Sequence, residues 1–340
     1  MRTQNEKHSG RIMVMSKVGK SILILGGAGF LGQKLLRQLF ADGAWCGHPI
    51  ASVTSADMTA LPIDFPNVSE IVQHVGNVAD EDFISNVFQK HYDVVYLLAS
   101  VVSGQAELEF DVGYRTNLYG GIKILDAIRA QATDTKLIFT SSLAVFGGEV
   151  PEGPILDHYQ CNPQTSYGSQ KAIMELLIND YSRKGYFDGC SLRLPTVTIR
   201  PGKPNAAASG FASGLFREPL QGVETVCPVS THLAMWVSAP RTIITNLIHA
   251  GKISADDWGM QRAIALPGIS VSIEEMISSM KRVAGEEPVN RITYKVDPFV
   301  ENLVRGWPAK VIPEKAIRLG FAQDRSFDDN IRWFLEDDKV

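Results

Sequence analysis

The sequence lacks the features that would tie it to a metal, a nucleic acid or a membrane. Its 340 residues include only four cysteines, and these lack the paired spacing of a zinc site (Cys46, Cys161, Cys190 and Cys227). The formal net charge is only −4 and the basic residues are scattered, which argues against a nucleic-acid-binding face. No apolar stretch approaches the roughly 20 residues of a membrane span. We therefore predict a cytoplasmic globular protein with no metal, nucleic-acid or membrane partner.

The first residues differ in character from the rest of the chain. Residues 1–20 are polar and mildly basic, without the apolar centre of a signal peptide. We predict a disordered leader here, and a transit peptide is the alternative.

From Ser21 onward, apolar runs alternate with amphipathic stretches. Strands are predicted at 21–25, 50–54, 71–75, 93–99, 136–140 and 191–196, and helices at 30–42, 81–90, up to about 130, and 165–184. This alternation predicts an α/β fold, a Rossmann-like doubly wound parallel sheet over residues 21–196. Residues 197–340 are less regular and predict a smaller C-terminal substrate-binding lid domain, partly interleaved with the first. Within it, the Pro, Gly, Ala and Ser content of 197–222 predicts a long ordered loop.

A glycine-rich turn follows the first predicted strand. Gly26, Gly29 and Gly32 stand at the spacing of a dinucleotide-binding turn, and Phe30 and Leu31 open the helix that follows. In such a turn the first glycine permits the tight bend, the second admits a pyrophosphate, and the third lets helix and strand pack closely. The alternative is a glycine turn without a ligand.

Asp57 is the candidate for binding the adenosine ribose. It follows the second predicted strand and lies 25 residues after Gly32, against an expected spacing of about 20. No Lys or Arg follows it closely to bind a 2′-phosphate, so we predict NAD rather than NADP. A solvated loop carboxylate is the alternative for Asp57.

Tyr167 and Lys171 are four residues apart on a predicted helix, and therefore on one face of it. A tyrosine with a pKa near 10 is a poor base at neutral pH. A neighbouring ammonium group favours the phenolate, so Lys171 is expected to lower the pKa of Tyr167. A surface tyrosine and a solvated lysine are the alternative.

A serine at the end of the strand predicted at 136–140 completes the candidate catalytic group. Ligands of doubly wound sheets bind beyond the carboxyl ends of the strands. A hydroxyl there can bind the substrate oxygen that exchanges a proton. Ser142 is the candidate and Ser141 is its rival.

Taken in this order, the glycine turn, Asp57, Ser142, Tyr167 and Lys171 resemble the extended short-chain dehydrogenases/reductases, which include the NAD-dependent epimerases and dehydratases. The resemblance covers nearly the whole chain from Ser21. It implies that Tyr167 is the general base, that Lys171 binds ribose and that Ser142 orients the hydroxyl. The further cofactor contacts that it implies are Asn77, Leu98, Ala99, Asn117, Pro195, Thr196 and Val197.

A narrower resemblance, carried above all by residues 200–209, is to family members that oxidise C2 of D-erythronate to the 2-oxo acid with NAD. It implies a sugar-acid substrate. The candidate substrate-binding residues are Ser103, Ser142, Lys203 and Arg241. Lys203 and Arg241 are chosen from their placement in the second domain, as cations that could bind the substrate carboxylate. Arg241 in a surface ion pair is the alternative.

Two other functions share much of this pattern. A nucleoside-diphosphate-sugar epimerase with tightly bound NAD has the same cofactor motifs, whereas a non-catalytic dinucleotide sensor would be expected to lose the Tyr–Lys pair. The family also leads us to expect a homodimer through two long helices of the cofactor domain. Apolar helix faces would equally suit the core of a monomer.

Overall fold

The computed structural model describes residues 19–132, 134–148, 153–202 and 209–338. The predicted leader lies outside the described residues except for Gly19 and Lys20. The strands, in chain order, are β1 Lys20–Leu25, β2 Ala44–Trp45, β3 His48–Asp57, β4 Ile71–Val75, β5 Val94–Leu97, β6 Lys136–Ser142, β7 Ile155–Leu156, β8 Asp188–Leu194, β9 Thr196–Val197, β10 Thr225–Cys227, β11 Ala234–Ser238, β12 Ala263–Ala265, β13 Ile269–Ser272, β14 Ile292–Tyr294 and β15 Val311–Ile312.

The α-helices surround these strands. In chain order they are α1 Phe30–Asp42, α2 Glu81–Val87, α3 Ser103–Leu108, α4 Phe110–Gly113, α5 Gly121–Ala130, α6 Ser166–Arg183, α7 Phe211–Leu220, α8 Pro240–Ala250, α9 Ala255–Trp258, α10 Ile273–Ala284, α11 Glu286–Val289, α12 Pro298–Arg305, α13 Glu314–Arg318 and α14 Phe327–Asp337. A π-helical segment, Tyr114–Gly120, joins α4 to α5, and short 3₁₀ helices cover Val68–Glu70 and Leu143–Val145.

The main sheet has eight strands in the order β12-β8-β6-β5-β1-β3-β2, with β4 also paired to β3. All of its pairs are parallel except the short β2–β3 pair. After β1 the chain builds outward through β3 and β4, then returns to place β5 on the other side of β1. The predicted doubly wound α/β fold is confirmed. Its switch point, where such sheets bind ligands, lies between β1 and β5.

The sheet is buried on both faces, which explains why its strands appear in the sequence as continuous apolar runs. Alternate residues of β1 enter different cores. Ile22 and Ile24 join the core beneath α1 and α8, whereas Leu23 and Leu25 join the core beneath α2, α5 and α6. The glycine turn after Leu25 is therefore anchored on both sides.

The part of the chain after β8 builds a separate core while still contributing to the main sheet. β12 pairs with β8 at the edge of that sheet, and α8 packs into its core. In contrast, α7, α10 and α14 bury their apolar faces together around Phe216, Met276 and Phe334. The division at residue 196 stays a prediction.

The prediction of a long loop over 197–222 is wrong within the described residues. Residues 211–220 form α7, which buries Ala212, Leu215 and Phe216 along one face. Pro219 lies in the last turn of α7. This proline and the small residues around it are the reason why the sequence predicted irregular structure. Tertiary packing of the apolar face therefore outweighs the weak local helix propensity.

Candidate active site

The glycine turn lies at the switch point, and backbone crowding explains two of its glycines. Gly26 adopts φ 91°, and a Cβ built on it would lie 2.6 Å from the Ala99 nitrogen. A Cβ on Gly32 would lie 2.1 Å from the carbonyl oxygen of Gly26. At Gly29, by contrast, a Cβ would meet only that same oxygen, at 3.3 Å. Gly26 and Gly32 are thus required by packing, whereas Gly29 borders open space.

The start of α1 offers backbone donors beside Gly29. Gly29 is the N-cap and provides no side-chain cap, and the N–H groups of Phe30, Leu31 and Gly32 have no hydrogen-bond partner among the described residues. Unpaired N–H groups and the helix dipole together favour a phosphate group at this position. The turn therefore fits the pyrophosphate of a dinucleotide.

Asp57 is the last residue of β3, and Asn77 follows the neighbouring strand β4 at the same edge of the sheet. The Asp57 carboxylate accepts a hydrogen bond of 3.0 Å from the Ala28 N–H in the glycine turn. Asn77 is exposed, and its Oδ1 accepts a local hydrogen bond of 2.9 Å from the Ala79 N–H. Asp57 lies against the turn as a ribose ligand must, and Asn77 lies further out, beyond β4.

The loop after β5 forms the other wall of the turn. The N–H groups of Leu98 and Ala99 both donate to the Leu25 carbonyl, at 2.9 and 2.8 Å. These bonds bring both predicted cofactor contacts against the end of β1. Ser103 begins α3 a few residues later.

Asn117 lies in the π-helical segment and connects this loop to α6. Its Oδ1 accepts from the Val101 N–H at 2.7 Å and from the Ser100 hydroxyl at 3.0 Å. Its Nδ2 donates to Gln170 Oε1 at 2.7 Å. The Asn117 side chain therefore fixes the Ser100 loop and links it to α6. Its contact with the cofactor stays a prediction.

Tyr167 and Ser142 meet where α6 begins beside the end of β6. Thr165 caps α6 through a hydrogen bond of 3.1 Å from the Gly168 N–H to its hydroxyl, which fixes the first turn that carries Tyr167. The side chains of Ser142 and Ser100 lie close enough to the Tyr167 phenol to favour its charged form. The strand-end serine and the helical tyrosine therefore form one group.

Burial raises the pKa of the Tyr167 phenol to about 12. The nearby hydroxyl groups of Ser142 and Ser100 and the positive charge of Arg200 act in the opposite direction. The expectation that Lys171 lowers the pKa of Tyr167 stays a prediction.

Lys171 is buried one turn further along α6. Its Nζ donates to the Thr140 carbonyl at 2.8 Å and lies 5.4 Å from the centre of the Tyr167 ring. Burial lowers the pKa of Lys171 to about 7, while the carboxylate of Glu175 acts to raise it. Two opposing effects therefore act on Lys171: desolvation favours the neutral amine, and the Glu175 carboxylate favours the charged ammonium group.

Glu175, which the sequence analysis did not identify, anchors a buried network behind Lys171. Arg193 from β8 binds it with Nη2–Oε2 and Nε–Oε1 distances of 2.7 and 3.0 Å. The Ser141 hydroxyl donates to Glu175 Oε1 at 2.5 Å. Ser141 thus faces this network, whereas Ser142 faces Tyr167. A carboxylate at i+4 from the lysine was the available sequence signal.

Pro195 and β9 lie where the chain leaves the main sheet. Pro195 is buried, and β9, which contains Thr196 and Val197, pairs with β11 rather than with β6. Their contact with a nicotinamide ring stays a prediction.

The structure describes Arg241, one of the two cations predicted to bind the substrate carboxylate. Lys203 lies outside the described residues. Arg241 is bound by Asp337 at 2.8 Å and Glu336 at 2.8 Å in α14, and it borders an outer cleft of about 940 Å³ beside α1. Arg200, in contrast, acts electrostatically on Tyr167. No contact within the described residues joins Arg241 to the Tyr167 group.

Two features are absent from the described residues. No cluster of three or more His, Cys, Asp or Glu side chains there could bind a metal ion. No helix there is both long and apolar enough to span a bilayer.

The chain is similar to a known family and to several named proteins. The model of the NAD dependent epimerase/dehydratase family matches residues 22–231. Proteins named D-erythronate dehydrogenase from Cupriavidus necator and Haemophilus influenzae are 43% and 41% identical, each over 93% of this chain, and cover 98% and 99% of their own lengths. A crystal structure described as the nucleoside-diphosphate-sugar epimerase from Agrobacterium tumefaciens is 40% identical, with a TM-score of 0.88 over 94% of both chains.

Proposed function

The chain belongs to the NAD-dependent epimerase/dehydratase family, and on that premise we propose that it oxidises C2 of D-erythronate to the corresponding 2-oxo acid. It is an NAD-dependent oxidoreductase, and NAD is its cofactor. The observation that carries the choice of substrate is its similarity, along almost its whole length, to two D-erythronate dehydrogenases.

The glycine turn and the groups around it would bind the cofactor. The free N–H groups at the start of α1 suit the pyrophosphate, and Asp57 suits a ribose hydroxyl. When bound, NAD supplies an acceptor for the hydride that leaves C2. Lys171 lies close enough to Tyr167 to bind the second ribose and support the phenol.

Tyr167 performs the proton transfer in this proposal. As C2 loses a hydride, its hydroxyl must lose a proton for the carbonyl to form. The Tyr167 phenolate takes that proton, and Ser142 donates a hydrogen bond that aligns the substrate oxygen. Arg200 and the serine hydroxyls favour the phenolate against the effect of burial.

A sugar-nucleotide epimerase is the second candidate, because of the Agrobacterium structure described by that activity. It would use the same cofactor groups but return the hydride to its substrate. NAD would then stay bound and no net reduction would be observed.

Reduction of free NAD separates these functions. Purified protein is incubated with D-erythronate and either NAD or NADP, and absorbance of the reduced cofactor is followed. We expect turnover with NAD. The proposal fails if no aldonic acid in a panel of four- and five-carbon acids is oxidised. Conversion of a nucleoside-diphosphate sugar without net reduction would instead support the epimerase.

We also propose a homodimer that acts in the cytoplasm. Apolar side chains exposed on the helices around α6 support the dimer: Leu108, Phe110, Tyr119 and Leu176. The cytoplasmic location is tested by fractionation of cells.

A further inference from the structure

The proposed substrate restricts where its carboxylate can lie. In a 2-hydroxy acid, the carboxylate is bonded directly to the carbon that carries the reacting hydroxyl. Once Tyr167 contacts that hydroxyl, the carboxylate must lie beside the phenol. A cation that neutralises it must therefore act on Tyr167 as well. Arg241, paired with two carboxylates of α14, does not meet this requirement.

Arg200 meets it. The guanidinium of Arg200 lowers the pKa of Tyr167, and the phenol in turn raises the pKa of Arg200, so each lies within the electrostatic range of the other. Opposite charges interact strongly over short distances in a partly desolvated site. Among the described residues, Arg200 is the arginine that acts on Tyr167 in this way.

The backbone of Arg200 is fixed on both sides by α7. Its N–H donates to the Ser213 hydroxyl at 3.1 Å, and its carbonyl accepts from Arg217 Nη1 at 2.9 Å. Among the described residues, the guanidinium has hydrogen bonds to hydroxyl groups, with Nε 3.4 Å from Ser213 Oγ and Nη2 3.3 Å from Ser209 Oγ. Neutral hydroxyl groups therefore position the Arg200 side chain, and they do not neutralise its positive charge.

The charges around Arg200 leave one cation unmatched. Arg217 is paired with Glu218 at 2.5 Å, and Arg193, on the far side of the site, is paired with Glu175 at 2.7 Å. No carboxylate of the described residues lies within ion-pair distance of Arg200, which is half-buried. Burial and the neighbouring Arg217 both lower its pKa, as expected for a desolvated cation without a counterion. An unpaired charge in such a place is costly unless a ligand neutralises it.

We propose that Arg200 binds the carboxylate of the sugar-acid substrate beside Tyr167 and so selects 2-hydroxy acids over neutral polyols. A guanidinium can donate two parallel hydrogen bonds to a carboxylate, which also fixes the orientation of the neighbouring C2. This inference rests on the proposed dehydrogenase function.

The test compares an acid with its neutral analogue. Wild type, Arg200→Gln and Arg200→Lys are assayed with D-erythronate and with its amide, and KM for NAD is measured in parallel. We expect Arg200→Gln to raise KM for D-erythronate roughly 10- to 100-fold, the loss that corresponds to charge-assisted hydrogen bonds. The amide and NAD should be affected less than about threefold. Arg332→Gln, at an exposed arginine of α14, is the matched control.

The outcomes separate the two proposals. A wild type that oxidises no aldonic acid overturns the dehydrogenase function and this inference with it. A wild type that oxidises D-erythronate, with Arg200→Gln unchanged or equally impaired toward acid and amide, overturns the role of Arg200 alone. A selective loss in Arg241→Gln instead would also overturn it. If Arg200→Gln does not fold, Arg200→Lys decides the matter: a larger KM for the acid but not for the amide supports the role, and equal effects contradict it.

Discussion

At the scale of single residues, Tyr167 can act as the general base only in its deprotonated, phenolate form. Its pKa is raised to about 12 by burial, and below the pKa the phenolate fraction grows tenfold with each pH unit. We therefore expect kcat/KM for D-erythronate to rise with pH from about pH 6 to pH 9. The positive charge of oxidised NAD should bring the midpoint below that of the free chain. A steady-state pH profile measures this, and a flat or falling profile would contradict it.

Removing the phenol hydroxyl tests the same residue differently. Tyr167→Phe keeps the ring but cannot accept the proton, so we expect kcat to fall about 10²- to 10⁴-fold. NAD affinity, measured by calorimetry, should change little because the ring and Lys171 remain. A variant with near-normal kcat would mean that another group takes the proton.

Glu175 supports the site through charge. It neutralises Arg193, and both side chains are buried, with relative exposures of 5% and 7%. Glu175→Gln leaves a buried guanidinium unpaired, which we expect to cost about 3–5 kcal/mol in the free energy of unfolding. Urea unfolding measures the loss.

A double variant gives the control for that prediction. Glu175→Leu with Arg193→Met replaces both charges by apolar groups of similar size, and such replacements are often neutral. Stability should therefore return toward the wild-type value. If the double variant is as unstable as Glu175→Gln, the loss comes from packing rather than from the unpaired charge.

The site was only partly predictable at this scale. Tyr167 and Lys171 can be recognised because one helix brings residues four apart onto one face. Ser142 was preferred to Ser141 from the sequence, but the hydrogen bond that holds Ser141 to Glu175 joins residues 34 apart and has no local signal. Arg200 stood in a recognised segment, but its closeness to Tyr167 depends on how α7 fixes its backbone, which no local pattern encodes.

At the scale of elements, two glycines of the turn are expected to have different roles: Gly32 in packing and Gly29 in ligand binding. A methyl group on Gly32 would lie 2.1 Å from a backbone oxygen, so α1 would have to shift. Gly32→Ala should therefore lower both the melting temperature and the affinity for NAD. Gly29→Ala should fold with nearly unchanged stability and lose NAD affinity alone, because its methyl would occupy the phosphate side. Thermal unfolding and calorimetry distinguish them, and a stable Gly32→Ala with full affinity would refute this division.

The elements of the fold differ in how well the sequence predicts them, because some have a local pattern and others depend on distant contacts. The helix expected at 30–42 and the strand expected at 71–75 have the observed bounds because buried parallel strands and amphipathic helices leave clear local patterns. The C-terminal strands are short, such as β10 and β14 with three residues each, and they pair with segments distant in sequence. Non-local pairing of that kind leaves little trace in a local window. The helix α7 was not predicted because the segment around it is rich in glycine, alanine and proline, and its stability depends on packing against distant residues.

At the scale of the whole molecule, the net charge of −4 offers no general attraction for an anionic cofactor or an anionic substrate. Binding must come from local groups. The first turn of α1 provides partial positive charge at one end of the cleft. In our proposal Arg200 provides a full charge at the other. Because both act at short range and partly out of water, a protein of overall negative charge can still bind two anions.

Association of two copies of the chain into a homodimer also depends on the whole molecule. Leu176 of α6 and Leu108 of α3 are 73% and 85% exposed, and α3 packs against α6. We propose that these helices form the dimer interface, because burying exposed apolar side chains favours association. We expect a dimer by light scattering, and a monomer for Leu176→Asp because a charge buried at the interface is costly. Met260→Asp, at another exposed apolar residue outside these helices, should stay dimeric. A wild type that is monomeric at assay concentrations, or a Leu176→Asp variant that stays dimeric, would exclude this face as the interface.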